Sequence, residues 1–268
     1  MRLAWILLLA SCGRLGFTDR GGDGGGSGRA QNDAALDTVV ATGLVAWYPM
    51  EAVEDFGLGG NSYALRDSTG NGHIATCTQI GTMVAPSTCP APDVGHSGGA
   101  MAFNGLTGIA NVADSADLHT TSAFTIAAWV KIDAYPAPGG SACIATKAVG
   151  TGIFNSWAMC YLENGRVYFY TVAGGINDNL TTPATAELPL AQWHHVAVTW
   201  DGAHKQIWFD AVVVASDNLA TIDWDTMPVH IGADIDNDTA TAYARAHIDE
   251  LRFYNRALAA TELAQLAQ

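Results

Sequence analysis

The sequence predicts an all-β fold, a sandwich or jelly roll, closed by a short C-terminal helix. Three observations predict it. Roughly a dozen short segments carry strand signals, separated by Gly-, Pro-, Asn- and Asp-containing turns. Several of them alternate side chains with period two, the period of a pleated strand. The chain has neither a βαβ alternation nor a fixed-period repeat, so a parallel sheet or a solenoid is not indicated.

The segments follow one another from Gly43 onward. Residues 44–50, LVAWYPM, read as the first strand, with Pro49 confining it to an edge or an end. Residues 55–72 are rich in turn formers, 73–78 suit a short strand, and 79–99 suit a long loop. Residues 100–103 and 109–112 are the next strands. In 124–132, Phe124, Ile126, Ala128, Val130 and Ile132 share one face and Trp129 stands on the other. Residues 142–147, 156–163 and 166–173 are three further strands, the last two joined by Asn164-Gly165, a hairpin signal. The stretch 192–216 is the most informative. His194, Val196, Val198 and Trp200 fall on one face and Trp193, His195, Ala197 and Thr199 on the other, so both faces should be covered. Asp201-Gly202 then marks a two-residue turn. Residues 229–232 and 247–254 complete the sheets, and Ala-rich 258–266 suits a short helix.

Composition sets limits. Of 268 residues, 49% are hydrophobic and 14% charged, enough apolar material for a packed globular core. The net charge of −14 argues against nucleic acid, which needs a positive footprint. No apolar run reaches the roughly 20 residues that span a bilayer. At the N-terminus, Arg2, the apolar run 3–10 and Leu9-Ala10-Ser11-Cys12 form an export signal that resembles the bacterial lipobox. The resemblance implies a signal peptide over 1–11, cleavage before Cys12, lipidation of that thiol, and attachment to the membrane through this lipid only. Gly13 is not the Asp of an inner-membrane retention signal, which points to the outer membrane or cell surface of a bacterium. Residues 12–41, with GGDGGGSG at 21–28, read as a flexible linker, and 42–268 as the folded domain. Four further cysteines suit an exported, disulfide-bonded chain. They allow three pairings. The favoured one joins Cys77 to Cys89 across a Pro- and Gly-containing loop and Cys143 to Cys160 between neighbouring strands. None has zinc-ligand spacing.

Six blocks in order resemble one family. They are GLVAWYP (43–49), DSTGNGH (67–73), GGAMAFNG (98–105), FTIAAWVK (124–131), QWHHVAVTWDG (192–202) and IDELRFYNRAL (248–258). Together they resemble the laminin-G-like domains of the concanavalin A-like lectin/glucanase superfamily over about 43–264, which implies a two-sheet jelly roll. The family often has Asp-Gly where Asp210-Ala211 stands here. It also implies a structural calcium held by Asp67, Asn71 and Asp249 with loop carbonyls, a donor set that suits an ion taking six to eight oxygens.

Other motifs weigh less. Asp234-Ile235-Asp236-Asn237-Asp238 opens like an EF-hand, but Thr239 replaces the turn Gly and Arg245 the bidentate Glu, leaving a solvated acidic loop. His194 and His195 are adjacent on a strand and point to opposite faces, so they cannot share a metal or a proton. Related glucanases carry a Glu-x-Asp-x-x-Glu strand; the nearest text here, His247-Ile248-Asp249-Glu250, lacks the first Glu and sets Asp249 and Glu250 on opposite faces. The expectation is a non-catalytic surface binding module for carbohydrate, with Tyr161, Tyr168, Tyr170 and Trp208 as stacking residues on the concave sheet. A cell-surface protein is the alternative partner, and a glycoside hydrolase the less favoured reading.

Overall fold

A computed structural model describes residues 40–57, 63–77, 88–150 and 152–268. The signal peptide, Cys12 and nearly all of the linker lie outside the described residues. Two large antiparallel sheets stack face to face. The first runs, edge to edge, through β15 (Val212–Asn218), β14 (His204–Phe209), β13 (Trp193–Trp200), β8 (Phe124–Ile132), β19 (Arg245–Tyr254), β6 (Gly99–Asn104) and β5 (Ala91–Val94), with β1 (Leu44–Tyr48) also paired to β19. The second runs through β12 (Ile176–Thr181), β11 (Val167–Ala173), β10 (Phe154–Leu162), β9 (Ser141–Val149), β16 (Val229–Ile231), β7 (Ala110–Val112), β4 (Ala75–Cys77), β3 (Tyr63–Leu65) and β2 (Val53–Asp55). A small hairpin of β17 (Asp234–Asp236) and β18 (Thr239–Thr241) stands apart, and a helix over Ala260–Leu266 ends the chain.

The core lies between the two sheets, and alternation builds it. Ile126, Ala128 and Val130 of β8 and Val196, Val198 and Trp200 of β13 meet Trp157, Met159 and Tyr161 of β10 and Phe169 of β11. The other side of β13 and β14 is also covered, as the two apolar faces of 192–216 require. Ala197 and Trp208 pack there with Ala127 and Tyr254 against Leu258 and against Leu263 and Leu266 of the helix. Glu262 fixes the helix start. It accepts from the Ala259 N–H at 2.8 Å and receives the Arg256 guanidinium at 2.7 and 2.8 Å. Both disulfides are those favoured from the sequence, Cys77–Cys89 and Cys143–Cys160. The second joins directly opposed residues of β9 and β10.

Two turns differ in detail from the expectation. The Asp201 N–H donates to the His204 carbonyl, so the two loop residues are Gly202 and Ala203, one position later than Asp-Gly. Gly202 takes φ +87°, and the Asp201 carboxylate accepts from the Ala203 and His204 N–H groups, which holds the turn from outside. Between β10 and β11 the loop is Glu163-Asn164-Gly165, closed by a Leu162 N–H to Arg166 carbonyl bond, with Gly165 at φ +80°. Such three-residue loops put glycine in the left-handed position after a turn.

The turn from β14 to β15 is Asp210-Ala211, with φ of 48° and 65°. Both values suit a type I′ hairpin, which accommodates Asp and Gly but strains alanine through its Cβ. Replacing Ala211 by Gly therefore raises stability by about 1 kcal/mol, seen as a later urea midpoint at unchanged slope; an earlier midpoint refutes the strain.

Candidate functional site

The site is built on an irregularity in β19. Ile248 and Leu251 both face the core, although a regular strand turns successive residues to opposite sides. The register gives the reason: Asp249 opposes Trp129 and Arg252 opposes Ala127, so Glu250 and Leu251 share one residue of β8. This is a β-bulge. Glu250 takes φ +54°, a left-handed conformation unusual for a non-glycine residue. Asp249 and Glu250 therefore both leave the core side, which corrects the expectation that they face opposite ways.

Asp249 is fully buried beneath the loop 95–99. Its Oδ2 accepts from the His96 N–H at 2.9 Å and the Ser97 N–H at 3.0 Å, while Oδ1 has no partner among the described residues. Only glycine fits at 95, because a Cβ there would lie 2.0 Å from the Gly99 carbonyl oxygen and 2.7 Å from Asp249 Oδ2. Burial pushes the Asp249 carboxyl up to about 6, with the Glu250 charge adding to it and the Ser97 and His96 N–H groups opposing it. Glu250 is tied down: its Oε2 accepts from Trp47 Nε1 at 2.9 Å and pairs with the Arg252 guanidinium. Arg252 also lies 4.9 Å over the Trp47 ring.

Glu250 and Arg252 line one wall of a cleft of about 650 Å³ on the outer side of the first sheet, bounded by the terminal helix and the 95–99 loop. Exposed His96 lies flat on Trp129, with ring centroids 3.4 Å apart and planes 10° apart. Trp129 Nε1 donates to the Leu266 carbonyl at 3.1 Å, which joins this stack to the helix. Half-buried Trp47 and the apolar Leu44 and Leu266 complete the lining. Behind the lining, the Tyr254 hydroxyl and Gln265 Oε1 are sealed from solvent and have no partner among the described residues. The cleft thus offers flat aromatic surface and one neutralised ion pair.

The expected stacking residues lie elsewhere. Tyr161 is wholly buried, and its hydroxyl accepts from the Arg245 N–H at 2.8 Å. Trp208 packs beneath the helix and donates Nε1 to Thr199 Oγ1 at 3.0 Å. Tyr170 is 6% exposed and donates to Asn177 Oδ1; it and half-buried Tyr168 pack beside the Cys143–Cys160 disulfide and Ala242. Period two does place Tyr168 and Tyr170 on the outer side of their sheet, but that side is covered there. What strand-by-strand reading missed is Trp47, His96, Trp129, Glu250, Arg252, Tyr254 and Gln265. The one available signal was Trp129, set opposite the core residues of its strand. His194 and His195 do diverge. The first meets Asp210 Oδ2 at 2.8 Å. The second is buried edge-on to Trp129, and burial pushes it down to about 4.

Two of the expected calcium ligands, Asp67 and Asn71, are engaged in hydrogen bonds within the protein. Asp67 Oδ1 accepts from the Trp47 N–H at 3.1 Å, the Thr69 N–H at 2.9 Å and Thr69 Oγ1 at 2.7 Å, and Oδ2 accepts from the His73 N–H at 3.1 Å. Asn71 gives its amide nitrogen to the Val45 carbonyl at 2.8 Å. Calcium needs oxygen lone pairs converging on one point; the Asp67 oxygens face N–H and O–H donors, while Asp249, the third expected ligand, keeps Oδ1 without a partner among the described residues. Among the described residues no three His, Cys, Asp or Glu side chains gather in a metal-holding group. The 234–238 segment forms a tight hairpin instead, with Asn237 and Asp238 at φ 49° and 59°.

Asp67 thus acts as a bracket between β1 and the loop after β3. Burial alone would raise its pKa, but the Thr69, Trp47 and His73 donors outweigh this and hold the carboxyl below the ordinary range. Such a group stabilises the fold above the unfolded value near 3.9, and the benefit disappears as pH falls through the lower folded value. Asp67→Ala therefore costs about 2 kcal/mol near neutrality, because three backbone N–H groups lose their acceptor, and the deficit shrinks in acid. The melting temperature is expected to be equal in calcium and in EDTA. A clear rise with calcium, lost in Asp67→Ala, would overturn this account of the corner.

Comparison with known proteins agrees with the architecture. A laminin G family profile, described as "Concanavalin A-like lectin/glucanases superfamily", matches residues 104–264, more than half of the chain. A search of curated protein sequences found no match. Among solved structures, the binding domain of Paraclostridial Mosquitocidal Protein 1 superposes with a TM-score of 0.64 at 15% identity, over 85% of this chain and 52% of that one. Domain 4 of AbnA, a GH43 extracellular arabinanase from Geobacillus stearothermophilus, solved with arabinotriose, gives 0.60 at 19% identity, over 84% of this chain and 98% of that one. Trypanosoma rangeli sialidase gives 0.58 at 16% identity, over 89% of this chain and 38% of that one. This chain therefore spans about half of the mosquitocidal binding domain, about two-fifths of the sialidase and nearly all of the arabinanase domain, and at these identities the likeness is one of fold. The two-sheet jelly roll and the family match together show that this chain belongs to the concanavalin A-like lectin/glucanases superfamily, as a laminin-G-like domain.

Proposed function

We propose that this chain is an exported, lipid-anchored module that binds carbohydrate in the cleft between the terminal helix and the 95–99 loop, without catalysing its hydrolysis. The observation that carries the proposal is the cleft lining: aromatic rings at Trp47 and His96–Trp129, with the Glu250–Arg252 ion pair beside them. Sugar rings present C–H faces to aromatic surfaces and hydroxyls to polar atoms, so this mixture suits them. The similar arabinanase domain, solved with arabinotriose, supports the ligand class. The non-catalytic part rests on the carboxylates. A hydrolase needs one acid free to donate and a second free to attack or activate water. Here Asp249 is sealed from solvent and Glu250 is neutralised by Arg252.

Titrating the full chain with arabinotriose and with a panel of neutral oligosaccharides, followed by tryptophan fluorescence and calorimetry, tests this. At least one glycan binds, Trp47→Ala weakens it about tenfold, and Tyr168→Ala leaves it unchanged. Retention of a cell-surface protein with no glycan bound would favour an adhesion domain instead. Release of reducing ends from a bound polysaccharide by the unaltered protein would make it a hydrolase. The anchor rests on Leu9-Ala10-Ser11-Cys12: Cys12→Ser is expected to move the protein from the membrane fraction of its host into the soluble fraction, and an unchanged distribution removes the lipid from the proposal.

A further inference from the structure

A second pocket, of about 220 Å³, opens on the rim where β6 and β8 end and β19 begins. It is separate from the cleft. Arg245 precedes Arg252 by seven strand residues, on the order of 20 Å. Tyr135, Tyr243 and Pro136 form its walls with Leu106, which is 72% exposed. Tyr161 lies at its base, held by the bond from the Arg245 N–H. The Tyr135 hydroxyl donates to the Leu188 carbonyl at 2.8 Å, which fixes that ring. The exposed Arg245 side chain is the one charged group of the lining, and its aliphatic part lies against Gly105, where a Cβ would come within 3.1 Å of it.

Arg245 is unusual in this protein. Acidic residues number 26 against 12 basic ones, so a cation readily finds a carboxylate. Arg66, Lys147, Lys205, Arg252 and Arg256 each pair with one, Arg166 donates to the Thr182 carbonyl, and Lys131 sits over the Trp193 ring. Among the described residues only the Arg245 guanidinium lacks an ion pair, a side-chain hydrogen bond or a ring beneath it. The adjacent acid, Asp133, is engaged by His247 Nδ1 at 2.9 Å.

We infer that this rim pocket is a second binding site, for a saccharide unit that carries a carboxylate. A guanidinium presents two parallel N–H donors to a carboxylate, a match a neutral hydroxyl cannot make. The tyrosine walls supply the flat surface for the ring bearing that group. In an otherwise negative protein an unneutralised Arg marks the place where an anion is admitted rather than repelled.

Digalacturonic acid and its methyl ester, which differ in charge at the carboxyl, are the probes for the full chain. The acid binds and the ester binds at least about tenfold more weakly. Arg245→Gln reduces acid binding to the level of the ester, Arg245→Lys restores part of it, and raised salt weakens it. Trp47→Ala, in the other cleft, leaves it unchanged, so the two sites fail separately. Arg245 is exposed, and unchanged melting curves confirm that its variants fold. Equal binding of acid and ester, no effect of Arg245→Gln, no binding of either probe at millimolar concentration, or tighter binding of a peptide through its free C-terminal carboxylate would each overturn the inference.

Discussion

The structure depends on how β19 is paired. On one side it lies along β8 for nearly its whole length. On the other it pairs with β6 from Arg245 to Ile248 and with β1 from Leu251 to Tyr254. The exchange of partners coincides with the bulge, where Glu250 adopts its left-handed conformation. One added residue has three consequences. It keeps Ile248 and Leu251 in the core, turns Asp249 and Glu250 outward, and delivers Arg252 to the Trp47 ring. Strain of this kind persists only where surrounding structure over-determines it. Here the Trp47 Nε1 bond, the Arg252 pair and the N–H groups of the 95–99 loop do so.

Buried charge is handled by the same logic. Lys147 and Lys205 are completely buried, yet each reaches a carboxylate at 2.8 Å, Asp114 and Asp178 respectively. Lys205 also donates to the Asp178 carbonyl, so it links β14 of one sheet to β12 of the other. An isolated buried ammonium is strongly unfavourable, whereas a paired and hydrogen-bonded one is tolerated and fixes geometry. Burial pushes the Lys205 pKa down and Asp178 opposes it. Against this background of satisfied cations, Arg245 on the rim stands out.

Much of the fold was legible in the sequence because strands and turns are local. The alternation in 124–132 and 193–200 assigned core and outer faces correctly, and Asn164-Gly165 and Asp201-Gly202 located their hairpins. Details of turn register were not legible. Whether Asp201 occupies the loop or caps it depends on which N–H groups its carboxylate meets. The candidate site was less accessible still. Tyr161, Tyr168, Tyr170 and Trp208 are aromatic residues in strands, and a strand pattern gives a side but not what covers that side. Tyr161 belongs to the core between the sheets, the disulfide and Ala242 pack on Tyr168 and Tyr170, and the terminal helix packs on Trp208.

By itself the sequence determined the fold class, the order of strands, the disulfide partners expected of neighbouring segments and the divergence of His194 and His195. Each follows from period two, turn chemistry or chain proximity, which operate within a few residues. Only the tertiary structure decided that Asp249 and Glu250 share a side, that Asp67 brackets backbone N–H groups, and that Trp47, His96 and Trp129 meet at one cleft. These residues lie far apart in the chain. Their meeting depends on long-range strand pairing and on a single added residue in β19, for which no local pattern speaks.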